Sequence, residues 1–111
     1  MMTMGSSVEI IYEGPGTSTE LMGATQANYI VPALDREFAV LVNEPTLQYL
    51  RDELGGEDTQ EWREDMTRRV GELLIQRKID RGIHDPIHFV GKRVFEEDPS
   101  LLEDLKRSLG E

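Results

Sequence analysis

The segment DTQEWREDMTRRVGELLIQRKIDRG, residues 58–82, decides the fold of this chain of 111 residues. Its apolar residues recur at the spacing of an amphipathic helix and form one stripe; they are Trp62, Met66, Val70, Leu73 and Leu74. Asp58 followed by Glu61 fits a capping box, and Gly82 stands where a left-handed residue ends a helix. Such a helix is roughly 35 Å long, at about 1.5 Å per residue, so the other elements must pack along it.

Four shorter segments have the composition of strands. Residues 8–12 and 38–42 are rich in β-branched or aromatic side chains, which favours strands over helices. Residues 29–31 form a short apolar run before a proline. Residues 83–95 contain Pro86, which disfavours a continuous helix, so we expect a strand or a strand pair broken at Gly91.

Two further segments predict helices. Residues 44–54 have Pro45 near their start, leucines along one face and glycines at their end. Residues 98–109 begin with Asp98 as N-cap and repeat leucine at helical spacing. The order of elements predicts an α+β domain, in which three helices pack on one face of a small β-sheet and a long central helix covers about residues 58–81.

The same patterns predict which side chains form the core. They are the apolar residues that fall on the inward face of each predicted helix or strand. The predicted core consists of Ile10, Phe38, Val40, Val42, Leu47, Leu50, Leu54, Trp62, Met66, Val70, Leu73, Leu74, Phe89, Leu102 and Leu105.

The N-terminal region differs in composition from the rest of the chain. Residues 1–7 predict a flexible arm, and residues 8–111 predict a single domain. The first 35 residues contain no lysine or arginine and are rich in glycine, serine and threonine. Two interpretations follow, namely an extended arm that orders on a partner and a loop-rich β-hairpin that packs on the same core.

Charge and composition exclude several functions. The chain has 22 acidic and 12 basic residues, hence a net charge of −10, which repels nucleic-acid phosphate and anionic membranes. It has no cysteine, so disulfides, thiolate metal sites and cysteine nucleophiles are excluded. No run approaches the roughly 20 apolar residues of a membrane span, and the N-terminus lacks a basic signal region. We therefore expect a soluble protein of the cytoplasm or of a virion.

The balance of basic residues allows two interpretations. Lysine occurs only at Lys78, Lys92 and Lys106, and the other basic residues are arginine. Low lysine with many carboxylates is typical of a halophilic protein, whose charge keeps it soluble at high salt. A GC-rich genome, which favours arginine codons, would give the same composition.

The polar residues do not predict a catalytic or metal-binding site. His84, Asp85 and His88 are the candidates for acid–base chemistry, but no third metal ligand is placed near the histidines by the sequence. Glu64 and Asp65 each precede an arginine by four residues, which is the pattern of an exposed helix face rather than of a catalytic pair. We therefore expect no catalytic residue, no metal and no cofactor.

The end of the long helix gives the strongest indication of a protein partner. Ile75 and Ile79 lie outside the main apolar stripe and widen it. Arginines and lysine cluster in the same turns, and the single tryptophan is of the type that often anchors an interface. The predicted interface residues are Trp62, Ile75, Ile79, Arg77, Lys78 and Arg81.

Three functional hypotheses follow. The first is a non-catalytic structural or assembly subunit that acts through protein–protein contacts, as a homo-oligomer or in a larger assembly; a specific form is a virion connector or tail-assembly component. The second is an acidic inhibitor or regulator that binds a nucleic-acid-binding protein. The third is a small enzyme that uses histidine and aspartate chemistry.

Overall fold

The computed structural model describes residues 8–15 and 24–110. These residues form a four-stranded mixed sheet and four helices, which confirms the α+β class. The strands lie across the sheet in chain order: β1 (Ile11–Pro15), β2 (Thr25–Val31), β3 (Arg36–Val42) and β4 (Ile87–Val90). The β1–β2 and β2–β3 pairs are antiparallel, whereas β3 and β4 are parallel.

The helices are α1 (Glu44–Leu54), α2 (Gln60–Asp80), α3 (Lys92–Glu97) and α4 (Pro99–Gly110). Helices α1 and α2 connect β3 to β4, as a parallel pair of strands requires a crossover. The helix α3 replaces the second strand predicted after Gly91, and six residues are too few to show a helical period. It buries Phe95, whose ring centroid lies 5.9 Å from that of Tyr49.

The start of α2 lies one residue beyond the predicted cap. The Thr59 hydroxyl accepts a hydrogen bond from the Trp62 backbone N–H at 3.1 Å, so Thr59 is the N-cap. The Asp58 carboxylate instead accepts a hydrogen bond from Arg63 Nε at 2.7 Å. The capping box predicted from Asp58 and Glu61 is therefore wrong, because Asp58 is engaged by an arginine and Thr59 takes its place.

The predicted end of α2 is confirmed. Gly82 has a φ of +76°, in the left-handed region that favours glycine. Its N–H donates to Ile79 O at 2.9 Å, and the N–H of Ile83 donates to Lys78 O at 2.8 Å. These two bonds form a Schellman motif, which satisfies the last carbonyls of the helix.

The N-terminal strands confirm the hairpin interpretation for the described residues. Strand β1 begins at Ile11 rather than at residue 8. Its pairing with β2, which ends at Val31, starts with Ile11 opposite Ile30. Strand β2 is longer than the predicted residues 29–31 and pairs with β3 along its whole length. The arm predicted at residues 1–7 lies outside the described residues.

The helices cover one face of the sheet, and the core lies between the two layers. Side chains alternate along β2 and β3, so that Ala27, Tyr29, Val31, Phe38, Val40 and Val42 face the helices and are buried. Leu47, Leu50, Met66, Val70, Leu74 and Leu105 belong to this core, as predicted. Phe89 does not belong to it; the sequence pattern missed Tyr29, Ile75, Val90 and Leu101, which do.

Helix α2 lies close to the sheet at Tyr29. This side chain is fully buried, and its hydroxyl donates to the backbone carbonyl of Arg68 at 2.6 Å. Burial raises the pKa of the Tyr29 phenol, which therefore stays protonated and remains a donor. A Cβ atom at Gly71 would lie 2.8 Å from Tyr29 Cζ, so this glycine leaves the space in which the ring packs.

Candidate protein–protein contact surface

Strand β4 lies at one edge of the sheet and carries two exposed apolar side chains. Its burial alternates, because His88 and Val90 face the helices while Ile87 and Phe89 face away from them. Ile87 is 53% exposed and Phe89 is 75% exposed. Such exposure of a phenylalanine leaves apolar surface in contact with water, which is typical of a contact surface rather than of a core.

Basic side chains from the end of α2 lie beside this strand. Lys78 and Arg81 line a cleft of about 390 Å³ together with Ile87 and Phe89. The remaining lining residues are Leu74, Arg77, His88, Val94, Glu97, Asp98 and Leu101. We call Lys78, Arg81, Ile87 and Phe89 the β4 surface. The C-terminal end of α2 carries a negative partial charge, which stabilises the two cations there.

The cations of this cleft differ in what they contact. Arg77 donates from Nε to Asp98 at 2.9 Å and from a terminal nitrogen to Asp104 at 2.6 Å. Burial disfavours the charged guanidinium, but the hydrogen bonds to Asp104 and Asp98 outweigh it and raise the pKa of Arg77. Within residues 8–15 and 24–110, no carboxylate lies within 4.0 Å of Lys78 or Arg81. Arg77 therefore ties α2 to α4, whereas Lys78 and Arg81 present unpaired charge.

The structure separates the six residues predicted as an interface. Arg77, Lys78 and Arg81 line one cleft. Ile75 is fully buried, so its side chain belongs to the core of this chain and not to a contact surface. Ile79 is partly buried against the same core, which explains why the apolar stripe widens near the end of α2.

Trp62 lies near the opposite end of α2 from the basic cluster. The 16 residues from Trp62 to Lys78 correspond to about 24 Å along a helix at about 1.5 Å per residue. Its side chain is partly buried against the core and lies beside Gly56. Trp62 is therefore not part of the β4 surface.

Ile87 and Phe89 are the residues of the β4 surface that the sequence did not identify as exposed. The run IHFV contains three apolar residues, and Phe89 was predicted to be in the core. The alternation of strand side chains separates Phe89 from Val90 but does not say which of them faces inward. The structure places the polar His88 inward together with Val90, and no residue within the run signals this orientation.

The two histidines lie in different surroundings. His88 is buried and stacks on Phe38, with ring centroids 6.1 Å apart, and its Nε2 has no hydrogen-bond partner among the described residues. Burial of the ring, together with the positive charge of Lys78, lowers the pKa of His88 below 6.5. The backbone carbonyl of His84 accepts from Arg36 at 2.9 Å. Among the described residues, no group of three histidine or carboxylate side chains is arranged to hold a metal ion.

The two acidic residues Glu64 and Asp65 of α2 have different partners, and only Asp65 is paired with arginines. Asp65 accepts hydrogen bonds from Arg68 at 2.8 Å and from Arg69 at 2.9 Å. Burial opposes ionisation of Asp65, but these two arginines outweigh it and lower its pKa. Glu64 accepts from Gln60 at 2.9 Å instead of pairing with Arg68 as predicted. A low pKa at Asp65 makes this carboxylate a structural anion rather than a proton donor near neutral pH.

Two further observations concern the whole chain. No helix in the part of the chain that the structure describes is long and apolar enough to cross a membrane. Comparison with protein-family models, with curated proteins and with solved structures finds no match to this chain.

Proposed function

We propose that this chain is a non-catalytic assembly subunit that contacts a protein partner through the β4 surface. The observation that carries the proposal is the exposure of Phe89, at 75%, beside Ile87 on an edge strand. Aromatic side chains in contact surfaces supply much of the binding energy. Full burial of such a side chain contributes about 1.5–3 kcal/mol, of which the exposed part of each of these two side chains supplies a fraction.

The outer edge of β4 pairs with no other strand among the described residues, and this supports a particular mode of contact. An edge strand has backbone N–H and C=O groups on one side that no neighbouring strand pairs. A partner that adds a strand to this edge gains main-chain hydrogen bonds, and side chains on alternate positions give specificity. Since Ile87 and Phe89 occupy alternate positions on the same face, one added strand would contact both.

The charge of the β4 surface indicates the chemistry of the partner. The chain as a whole carries a net charge of −10, yet Lys78 and Arg81 beside β4 lack a carboxylate partner among the described residues. Complementary charge guides encounter and disfavours wrong partners. We infer that the partner presents acidic and apolar residues. A virion connector or tail-assembly role, in which small domains join edge to edge, is a specific form of this proposal.

The proposal is tested by capture from an extract of the organism that encodes the chain. The immobilised wild type is compared with Ile87→Thr/Phe89→Thr, in which threonine keeps the strand preference while it removes apolar area. Leu109→Thr is the matched control, because Leu109 is 38% exposed on α4 and lies outside the β4 surface. We expect the wild type and the control to capture at least one protein that the double variant does not capture. The captured protein can be a further copy of this chain. Identical captured sets for all three would refute the proposal.

A further inference from the structure

We propose that the partner is a second copy of this chain, and that strand β1 of one copy adds to β4 of the next. This inference rests on the proposed function, since it names the partner of the β4 surface. The two strands are the opposite edges of one four-stranded sheet within the described residues. Each copy would therefore offer both halves of the contact.

The directions of the strands allow this contact to repeat. β1 is antiparallel to β2, β2 is antiparallel to β3, and β3 is parallel to β4, so β1 and β4 run in the same direction. A rotation about an axis along the strands keeps this direction, so β1 of the next copy meets β4 as a parallel neighbour. The contact is heterologous, which produces a closed ring or an open filament rather than a two-fold dimer.

The charges of the two edges are complementary. Glu9 and Glu13 are exposed on and beside β1, and the first 35 residues contain no basic side chain. The β4 edge is flanked by Lys78 and Arg81, and Lys92 and Arg93 follow the strand as exposed residues. Two carboxylates also lie at this edge, Asp85 before the strand and Glu97 in the cleft. Pairing β4 with β4 would bring these cations together, whereas pairing β4 with β1 sets carboxylates against them.

The apolar side chains of the two edges lie on the same face of the sheet. Ile11 is paired with Ile30, which is paired with Glu37, and Glu37 is on the face of β3 that points away from the helices. Ile87 and Phe89 point to that face from β4. A joined sheet would place Ile11, which is 39% exposed, beside the exposed residues of the next copy.

Only the first part of β1 is suited to receive a strand. The pairing with β2 shifts between Tyr12 and Gly14, and Pro15 has no backbone N–H to donate. Bulges and prolines of this kind protect an edge against pairing. Residues 8–12 precede both features; Ile11 and Tyr12 pair with β2, Val8 and Ile10 pack against the core, and the five residues are enough to span the four of β4.

The test uses two purified variants and their mixture in sedimentation velocity at low and high salt. Glu9→Lys/Glu13→Lys reverses the charge of the β1 edge, and Lys78→Glu/Arg81→Glu reverses that of the β4 edge. We expect the wild type to form a species larger than a dimer at low salt, and either variant alone to raise the dissociation constant by about tenfold or more. Mixing the two variants restores the larger species, because each reversed edge then meets its complement.

A matched control variant makes two glutamate-to-lysine changes at positions outside the two edges. Glu57→Lys/Glu103→Lys alters exposed acidic residues away from both edges and should leave the assembly intact. A wild type that stays monomeric at every protein and salt concentration would overturn the inference, and the capture experiment would then decide the proposed function separately. Loss of assembly in the β4 variant but not in the β1 variant, or failure of the mixture to recover, would overturn it as well.

Discussion

The two faces of strand β4 differ sharply in the exposure of their side chains. His88 and Val90 are buried against the helices, whereas Ile87 and Phe89 stand exposed on the other face. The residues that face inward include the polar one, and the residues that face outward are both apolar. Hydrophobicity alone therefore does not assign a side chain to the core. One face of β4 packs in the core, and the other face carries the proposed contact.

Two phenylalanines, Phe38 and Phe89, allow the inner and outer faces of the sheet to be compared with the same type of side chain. Phe38 lies on the inner face of β3 and is 2% exposed, while Phe89 lies on the outer face of β4, opposite Leu41. We expect Phe38→Ala to lower the free energy of unfolding by about 3–5 kcal/mol, because it leaves a cavity in the core. We expect Phe89→Ala to lower it by less than about 0.5 kcal/mol, as for other exposed sites. Urea unfolding of both variants measures this; equal losses would show that the two faces do not differ.

A second prediction concerns how closely the inner face meets α2. Gly71→Ala places a methyl group against the buried ring of Tyr29, whose hydroxyl is fixed by the carbonyl of Arg68. We expect it to lower the free energy of unfolding by about 1–3 kcal/mol, the usual cost of overpacking. Gly110→Ala is the control, since a Cβ there meets nothing within 4 Å. A neutral Gly71→Ala would mean that α2 and β2 are not in close contact.

A third and smaller effect tests the inward position of His88 through its pKa. Burial lowers the pKa of His88 in the folded state below 6.5. As the pH falls through that value, the unfolded chain therefore binds more protons than the folded chain does. The free energy of unfolding should therefore decrease between about pH 7.5 and pH 5.5, where carboxylates are still ionised. Thermal unfolding across this range should show the slope in the wild type and in His84→Gln, but not in His88→Gln. Equal slopes in all three chains would contradict the buried position of His88.

The smallest stability effect separates two adjacent cations. Arg77 bonds to Asp98 and Asp104, whereas Lys78 has no carboxylate within 4.0 Å among the residues described. We expect Arg77→Gln to lower the free energy of unfolding by about 0.5–1 kcal/mol and Lys78→Gln to change it by less than about 0.5 kcal/mol. Only Lys78→Gln should weaken association without loss of stability. If the two variants behave alike in chemical denaturation, the division between paired and unpaired cations is incorrect.

The sequence could predict those elements of the fold that are long or strongly apolar. The helix over residues 60–80, its stop at Gly82 and the buried strand around residues 38–42 follow from local periodicity and a glycine. Helix α3 has too few residues to show a period. The contact of Tyr29 with Gly71 joins residues far apart in sequence, so no local pattern reveals it.

The sequence predicted the basic residues of the proposed contact surface but not its apolar residues. The basic cluster of Lys78 and Arg81 was found because it is contiguous on one helix. Its apolar part was missed, because the exposure of Phe89 depends on β4 being an edge strand with the helices on one face only. That property arises from the order of strands across the sheet, which the spacing of residues within β4 does not determine.

The most direct test of the central claim is amide hydrogen exchange at low and at high protein concentration, in low salt. The account predicts that amides in residues 87–90 and 8–12 exchange more slowly at the higher concentration, because association pairs the free edges. Amides of β2 and β3, which already have neighbours on both sides, should exchange at unchanged rates. Unchanged exchange at both edges at the highest concentration would contradict the proposal that the edges of the sheet join copies of this chain.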